Sequence, residues 1–463
     1  MLPVAFSGPI RICNQKTSNC RLALLRETPW WTNNKGVGTS ENLLDAIIVG
    51  GGPAGATAAN KLAKSGASVL VCEREKFPRF HIGESLLPTN VPLLQELGVE
   101  DAIRAAGSVT KHGAEVISAD GEARTAIYFR QAMCPLPETT FQVERATFDD
   151  ILLRAAATAG AEVREETLVK SCVREGDHWR VVLEDASGTT EQICRWIIDG
   201  SGRDTFLANQ NRSKKMLPEH KRVSFFAHYD HVWRADGDAD GNTVLIRTAD
   251  GWFWLIPVSA TRTSVGVVLP ATEVRRAGLR PEALLDQAIE RAPEMARRMQ
   301  SAVRATEVQG TSDFSYRTGE MTGPGFITAG DAYAFLDPIF STGVWLAMRG
   351  GAGAADTVAQ CLKRPARSER YLRRFARREE RVQRHFRRLI QYFYDPGFTD
   401  VFLRPVNAFG LRRAVGTYVS GALPQRLGPR LRLEIVLTVA RLQPRLGLVP
   451  RIQLPQTLAP EAT

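Results

Sequence analysis

Across residues 45–73 the hydrophobic pattern resolves into three elements. An apolar run at residues 46–49, β-branched and closed by glycine, reads as a buried parallel strand. An alanine-rich stretch at about 54–64 reads as a helix, and a second apolar run ends on Glu73. Proline and glycine breaks between Arg74 and Pro88 then predict a loop that crosses toward a helix at about 89–97. Short strands are expected at 114–118 and 125–129, a helix at 147–159, and strand-like runs up to Asp199. Residues 223–268 form a β-rich block with alternating runs. A helix is predicted over 281–300, a buried strand over 325–329, and a long helix from Gly343 to about Cys361. The remainder, to about residue 448, has the pattern of basic amphipathic helices and gives way to a proline-rich tail.

Gly50, Gly52 and Gly55 give this pattern its first chemistry. They form the G-x-G-x-x-G spacing between the first strand and its helix. The first glycine permits a tight turn, the second lets backbone approach a pyrophosphate, and the third lets helix and strand pack closely. The helix offers its N-terminal amides to phosphate. Glu73 lies 23 residues past Gly50, where an acid accepts hydrogen bonds from the adenosine ribose and disfavours a 2′-phosphate. Arg74 follows it and joins the expected cofactor set. The glycines at 350–353 lie inside a helical segment with no preceding strand, so they read as close helix packing. One fingerprint therefore implies one dinucleotide. Gly330-Asp331, after an apolar strand, reads either as a flavin contact through a ribityl or ribose hydroxyl or as an ordinary helix cap.

Strand–helix alternation at each end, with a β-rich insert, predicts an α/β fold. With the fingerprint and the flavin reading of Gly330-Asp331, the expected arrangement is a doubly wound FAD-binding Rossmann-type domain with an interleaved β-sheet substrate domain and a C-terminal helical region. Residues 1–42 are expected as a leader; 43–111, 140–210 and 305–360 as the FAD-binding domain; 112–139 and 211–304 as the substrate domain; and 361–463 as the basic helical region.

At 463 residues, 44% hydrophobic and 24% charged, the chain has the balance of an ordinary globular protein with a large core. Its seven cysteines are scattered without a C-x-x-C, which points away from a disulfide framework or metal site and toward a reducing, cytoplasmic setting. No secretory signal and no apolar run of membrane-spanning length is evident. The net charge is +10, and residues 363–388 are rich in arginine. That stretch reads as a solvated helix face or as a docking face for an acidic partner. Nucleic acid is disfavoured because no reading motif accompanies the charge. Membrane contact is at most peripheral, through residues 431–448.

Five blocks in order, GGGPAG, EREKFPRFHIGESLLP, DGSGR, GWFWLIP and GDAYAFLDPIFSTG, resemble the flavin-dependent halogenases. The likeness runs from about residue 45 to 360 and is nearest to the branch acting on phenols and pyrroles, a branch related to aromatic hydroxylases and isoprenoid reductases. Residues 252–257 match the family's W-x-W-x-I-P block and residues 335–343, with Pro338, its F-x-x-P-x-x-S-x-G block. The resemblance implies that reduced FAD and dioxygen form a flavin hydroperoxide, which a chloride or bromide attacks to give hypohalous acid. The oxidant then travels to a lysine, which delivers it to an electron-rich ring. Lys111, 27 residues past Glu84 and followed at one remove by Gly113, matches the family's lysine and is expected at the start of a strand facing the substrate cavity. Lys76 is its competitor, in the cofactor loop. The halide is expected on the amides of Thr342 and Gly343; the alternative is that Ser341 simply caps that helix. Trp252 and Trp254 share one side of a strand and read either as core packing or as a partition between flavin and substrate. Arg145 is expected on the FAD pyrophosphate or ribityl chain, or else in a surface salt bridge. Free-tryptophan halogenases carry a glutamate where this chain has Phe340, which disfavours free tryptophan. Expected partners are a small aromatic substrate, a carrier protein that tethers it, and a separate flavin reductase. A hydroxylase or reductase on the same scaffold is the rival enzyme, and a non-catalytic flavoprotein the rival of another class.

Overall fold

The computed structural model describes residues 43–217, 221–312, 315–404, 410–424 and 426–458. The expectation for residues 1–42 lies outside these. Leu43–Val49 is the central strand of the first sheet. It pairs in parallel with Val69–Cys72 on one side and Gly188–Asp199 on the other, and Glu162–Arg164 and Phe326–Thr328 extend the parallel run. Alternation along the first strand splits its side chains between two cores. Ala46 and Ile48 pack with the helices Pro53–Lys64, Arg145–Thr158 and Gly343–Lys363. Ile47 and Val49 face an antiparallel meander that includes Trp179, Val181 and Leu183.

The second sheet is mostly antiparallel and is built around Arg222–Asp230, Arg262–Pro270, Trp252–Pro257 and Thr243–Arg247. One parallel pairing joins Thr243–Arg247 to Gly113–Ser118. Gln309–Ser312 also pairs with this sheet. Its outer face packs on two helices through Phe253, Leu255, Val265 and Val267. Its inner face carries Phe226, Leu245, Trp252 and Trp254 toward the long helices of the C-terminal region. The single helix predicted over 281–300 is two, Pro281–Glu290 and Pro293–Met299. Pro293 has no N–H to continue the first helix and is suited to the first turn of the second.

Pro53–Lys64 packs closely on Gly343–Lys363 over one face of the first sheet. A Cβ on Gly351 would stand 2.1 Å from the Ala54 carbonyl oxygen, so the glycines at 350–353 serve the packing expected of them. The C-terminal region consists of Ser368–Phe393, Pro396–Leu403, Leu411–Val419 and Leu427–Leu446.

Candidate active site

The carboxyl ends of the parallel strands open into a cavity of about 970 Å³, the usual position for a nucleotide in such sheets. Gly50 closes the first strand with φ +93°, and a Cβ there would lie 2.8 Å from the Gly200 carbonyl oxygen. A Cβ on Gly55 would lie 1.9 Å from the Gly50 carbonyl oxygen, so no larger residue keeps this turn. The Glu73 carboxylate accepts the Gly51 amide at 2.7 Å and the Glu75 amide at 2.9 Å, which fixes its plane beside the cavity. Arg74 is exposed and pairs with Asp204 at 2.7 Å, also on the cavity edge.

Arg145 starts its helix and is buried, so the surface salt bridge is excluded. Its guanidinium grips Asp149 through two bonds, 2.7 and 2.8 Å, and donates to the Ile82 carbonyl at 2.9 Å. Asp149 in turn accepts from Arg79 at 3.0 Å. A planar cation held this rigidly lines the cavity without freedom to collapse into it. Asp331 faces the same space. Burial, opposed by Arg203 and Arg145, raises its carboxyl to about 7. Among the described residues its side chain has no hydrogen-bond partner, so it stands ready for a ligand hydroxyl. The turn, the fixed acid, the held guanidinium and this open carboxyl together fit the pyrophosphate, ribose and ribityl groups of FAD.

At the other end the cavity meets the second sheet. Trp252 and Trp254 are buried on the same strand face with ring centroids 5.9 Å apart. Gly266 across the ladder makes room for Trp254, since a Cβ there would come within 2.3 Å of the indole. The Trp252 indole N–H donates to the Tyr394 hydroxyl at 2.8 Å, and that hydroxyl donates to Asp337 at 2.7 Å. Burial, and then Asp337, hold the Tyr394 phenol far above its ordinary pKa, so it remains a neutral donor. The other Asp337 oxygen accepts the Ile339 amide at 3.1 Å and caps the turn Pro338–Phe340. Ser341 then takes a left-handed φ of +54°, and the helix begins at Gly343. Pro338, Ser341 and Gly343 line the cavity; Thr342 is buried behind them. The amides of the first helical turn have no intrahelical acceptor and suit an anion. Phe340 packs edge-on against Phe393 at 5.8 Å.

Lys111 departs from its expected placement. It ends the three-residue strand Val109–Lys111 rather than starting one, and its amine does not line the cavity. It donates to Ser85 Oγ at 2.7 Å and to the Leu86 carbonyl at 3.0 Å, with the Phe129 ring 5.5 Å away. Ser85 does line the cavity and lies 3.0 Å from Thr243 Oγ1, so one hydroxyl separates amine from cavity. The Lys111 side chain is buried, away from solvent. Burial pushes its amine down to about 7. Lys76, the competitor, does not line the cavity.

Three features escape sequence reasoning. Glu84 lines the cavity and is paired with His228 at 2.6 Å. Burial disfavours the charge on His228, yet Glu84 outweighs it and raises the imidazole above its usual value. The link of Tyr394 to Asp337 also has no local signal, since the two are far apart in sequence. The Gly83-Glu84-Ser85 segment was visible as part of a matching block, but nothing in it marked Ser85 as the partner of Lys111.

A family profile described as "FAD binding domain" matches residues 44–388. A 1H-pyrrole-2-carbonyl-[peptidyl-carrier protein] brominase of Pseudoalteromonas luteoviolacea is 34% identical, over 69% of this chain and 78% of its own. The chain belongs to the flavin-dependent halogenases. A tryptophan 2-halogenase of Chondromyces crocatus is 32% identical, over 67% of this chain and 60% of its own. The solved structure of flavin-dependent brominase Bmp2 superposes with a TM-score of 0.77 at 29% identity, covering 86% of this chain and 100% of that one. As a halogenase the protein is an FAD-dependent enzyme, and the FAD fold predicted from its sequence is the one observed.

Tyr394 joins the indole pair to the turn that opens the helix at Gly343. In Tyr394→Phe the Trp252 N–H loses its acceptor and Asp337 loses a donor. Urea unfolding should show a loss of about 1–3 kcal/mol. An unchanged midpoint would mean that the relay does not hold these elements together.

Proposed function

We propose that this halogenase acts on a phenol- or pyrrole-type ring, carried on an acidic carrier protein, and that Lys111 delivers the halogen. The observation that supports it is one cavity lined by Gly50 and Gly52 of the fingerprint and by the indole pair, with a buried amine one hydroxyl behind its wall. Gly50, Gly52, Gly55, Glu73 and Arg74 would hold the adenosine and pyrophosphate end of FAD. Arg145, Gly330, Asp331 and Pro338 would hold its ribityl and flavin end. Bound reduced FAD, with dioxygen, supplies the oxidising equivalent that turns halide into hypohalous acid.

The chain's own residues do the rest. The amides of Thr342 and Gly343 hold the halide at the helix N-terminus, and Asp337 keeps that turn in shape from behind. Trp252 and Trp254 keep the ring away from the flavin, which suppresses direct oxygenation. Ser85 and Leu86 fix the Lys111 amine at the wall. The amine must be uncharged to accept halogen, and burial provides this near neutrality. A ring activated by its own hydroxyl or ring nitrogen needs no glutamate at the position of Phe340. With a single dinucleotide fingerprint, reduced FAD comes from a separate reductase.

The carrier is best accommodated by Ser368–Phe393. Arg370, Arg373, Arg374, Arg377, Arg378 and Arg381 follow one another at helical spacing around a shallow groove. Among the described residues only Arg373 of these has an ion-pair partner, Glu369. From Arg381 the same helix runs about 20 Å to Tyr394, a span that a long prosthetic arm can cover.

The primary test is turnover with reduced FAD, dioxygen and halide. Wild type should give halogenated ring, with a rate that rises as pH passes upward through about 7, where the amine loses its proton. Lys111→Ala should bind FAD and give no halogenated product. Oxygenated product formed without halide would establish the hydroxylase instead. For the carrier, Arg374→Glu/Arg377→Glu/Arg381→Glu should slow turnover of carrier-bound ring while sparing a free analogue, and added salt should slow the wild type likewise. Equal rates for the variant and wild type on carrier-bound ring would reject this docking face.

A further inference from the structure

Leu427–Leu446 has two apolar faces. Leu433, Val436, Leu437 and Ala440 turn inward and are buried in the core. On the opposite side Leu427, Leu431, Ile435, Leu442 and Leu446 are 79, 64, 42, 40 and 61% exposed. Their spacing places them in one stripe along the helix, about 28 Å long, and Leu448 (49% exposed) continues it. Exposed leucines scattered singly are ordinary, but a continuous outward stripe is not. Arg430, Arg441 and Arg445 are exposed on the same helix, along one flank of the stripe. Its one acid, Glu434, is already held by Arg388 through bonds of 2.6 and 2.5 Å.

We infer that this face seats on an anionic lipid surface, with the leucines in the acyl boundary and the arginines among the phosphates. The stripe is the outward side of a helix whose other side is fixed in the core, so it presents a ridge that suits a soft plane. Basic residues flanking an apolar stripe are the pattern that such a plane attracts, and a net charge of +10 adds to the pull. A second copy is a poor occupant. Pairing this face with itself sets arginine against arginine while the only acid is engaged elsewhere. The anchoring needs neither Lys111 nor the cavity, so it stands or falls apart from the catalytic reading.

The test is co-sedimentation of the full-length, FAD-loaded protein with vesicles of phosphatidylglycerol and phosphatidylcholine, and with phosphatidylcholine alone. Wild type should pellet with the mixed vesicles and stay in solution with the neutral ones. Leu431→Gln/Leu446→Gln and, separately, Leu427→Gln/Leu442→Gln should each lower partition at least about tenfold. Val303→Ser, which changes an exposed residue on another element, should bind as wild type does. FAD absorbance and sedimentation velocity on every variant check folding and association. Failure of wild type to bind anionic vesicles, or undiminished binding by both leucine variants, would overturn the proposal. So would the finding that these substitutions convert a wild-type dimer to monomer without changing vesicle binding.

Discussion

The constraint on which this site rests is an amine buried without a carboxylate. Lys111 has a hydroxyl, a carbonyl and an aromatic ring around its Nζ, and no ion pair among the described residues. An ammonium group in such surroundings loses more hydration than two neutral acceptors return, so the proton leaves more readily. The contrast with Arg145 is instructive. Equally buried, that cation has Asp149 in bidentate contact and stays charged. One site thus contains a fixed positive charge at the cofactor end and a labile one behind the far wall. The difference lies first in the groups themselves, since a guanidinium keeps its proton near neutrality even when burial lowers it, as at Arg247, to about 10, whereas an ammonium buried without an acid is brought down to about 7.

The second organising feature is the relay from Trp252 through Tyr394 to Asp337. It ties the inner face of the second sheet to the end of the arginine-rich helix and to the turn that opens the helix at Gly343. Three elements far apart in the chain are therefore tied together. Indole orientation, the cap of the anion-suited turn and the end of Ser368–Phe393 share a single hydroxyl. That hydroxyl stays protonated because burial and Asp337 both disfavour the phenolate.

How much of this was legible in the sequence follows from the range of the interactions. The turn at Gly50 and Gly55, the acid at Glu73 and the placement of Trp252 and Trp254 on one strand face are local or periodic, so spacing alone revealed them. The packing role of the glycines at 350–353 was readable because they lie inside a helical pattern. The break at Pro293 was missed, because helical periodicity continues on both sides of the proline. What was hidden depends on tertiary partners. Lys111 is singled out by motif, but its position behind Ser85 depends on a loop 26 residues away. The pairing of Glu84 with His228 spans 144 residues and the link of Trp252 to Tyr394 spans 142, distances at which no periodicity survives.

The most direct test of the account is the protonation state of Lys111 itself. Heteronuclear NMR of the lysine-labelled, full-length protein can follow its Cε and Nζ signals with pH, assigned by their loss in Lys111→Met. The account predicts a midpoint near 7. An amine that keeps its proton up to the ordinary lysine value of about 10.4 would contradict it.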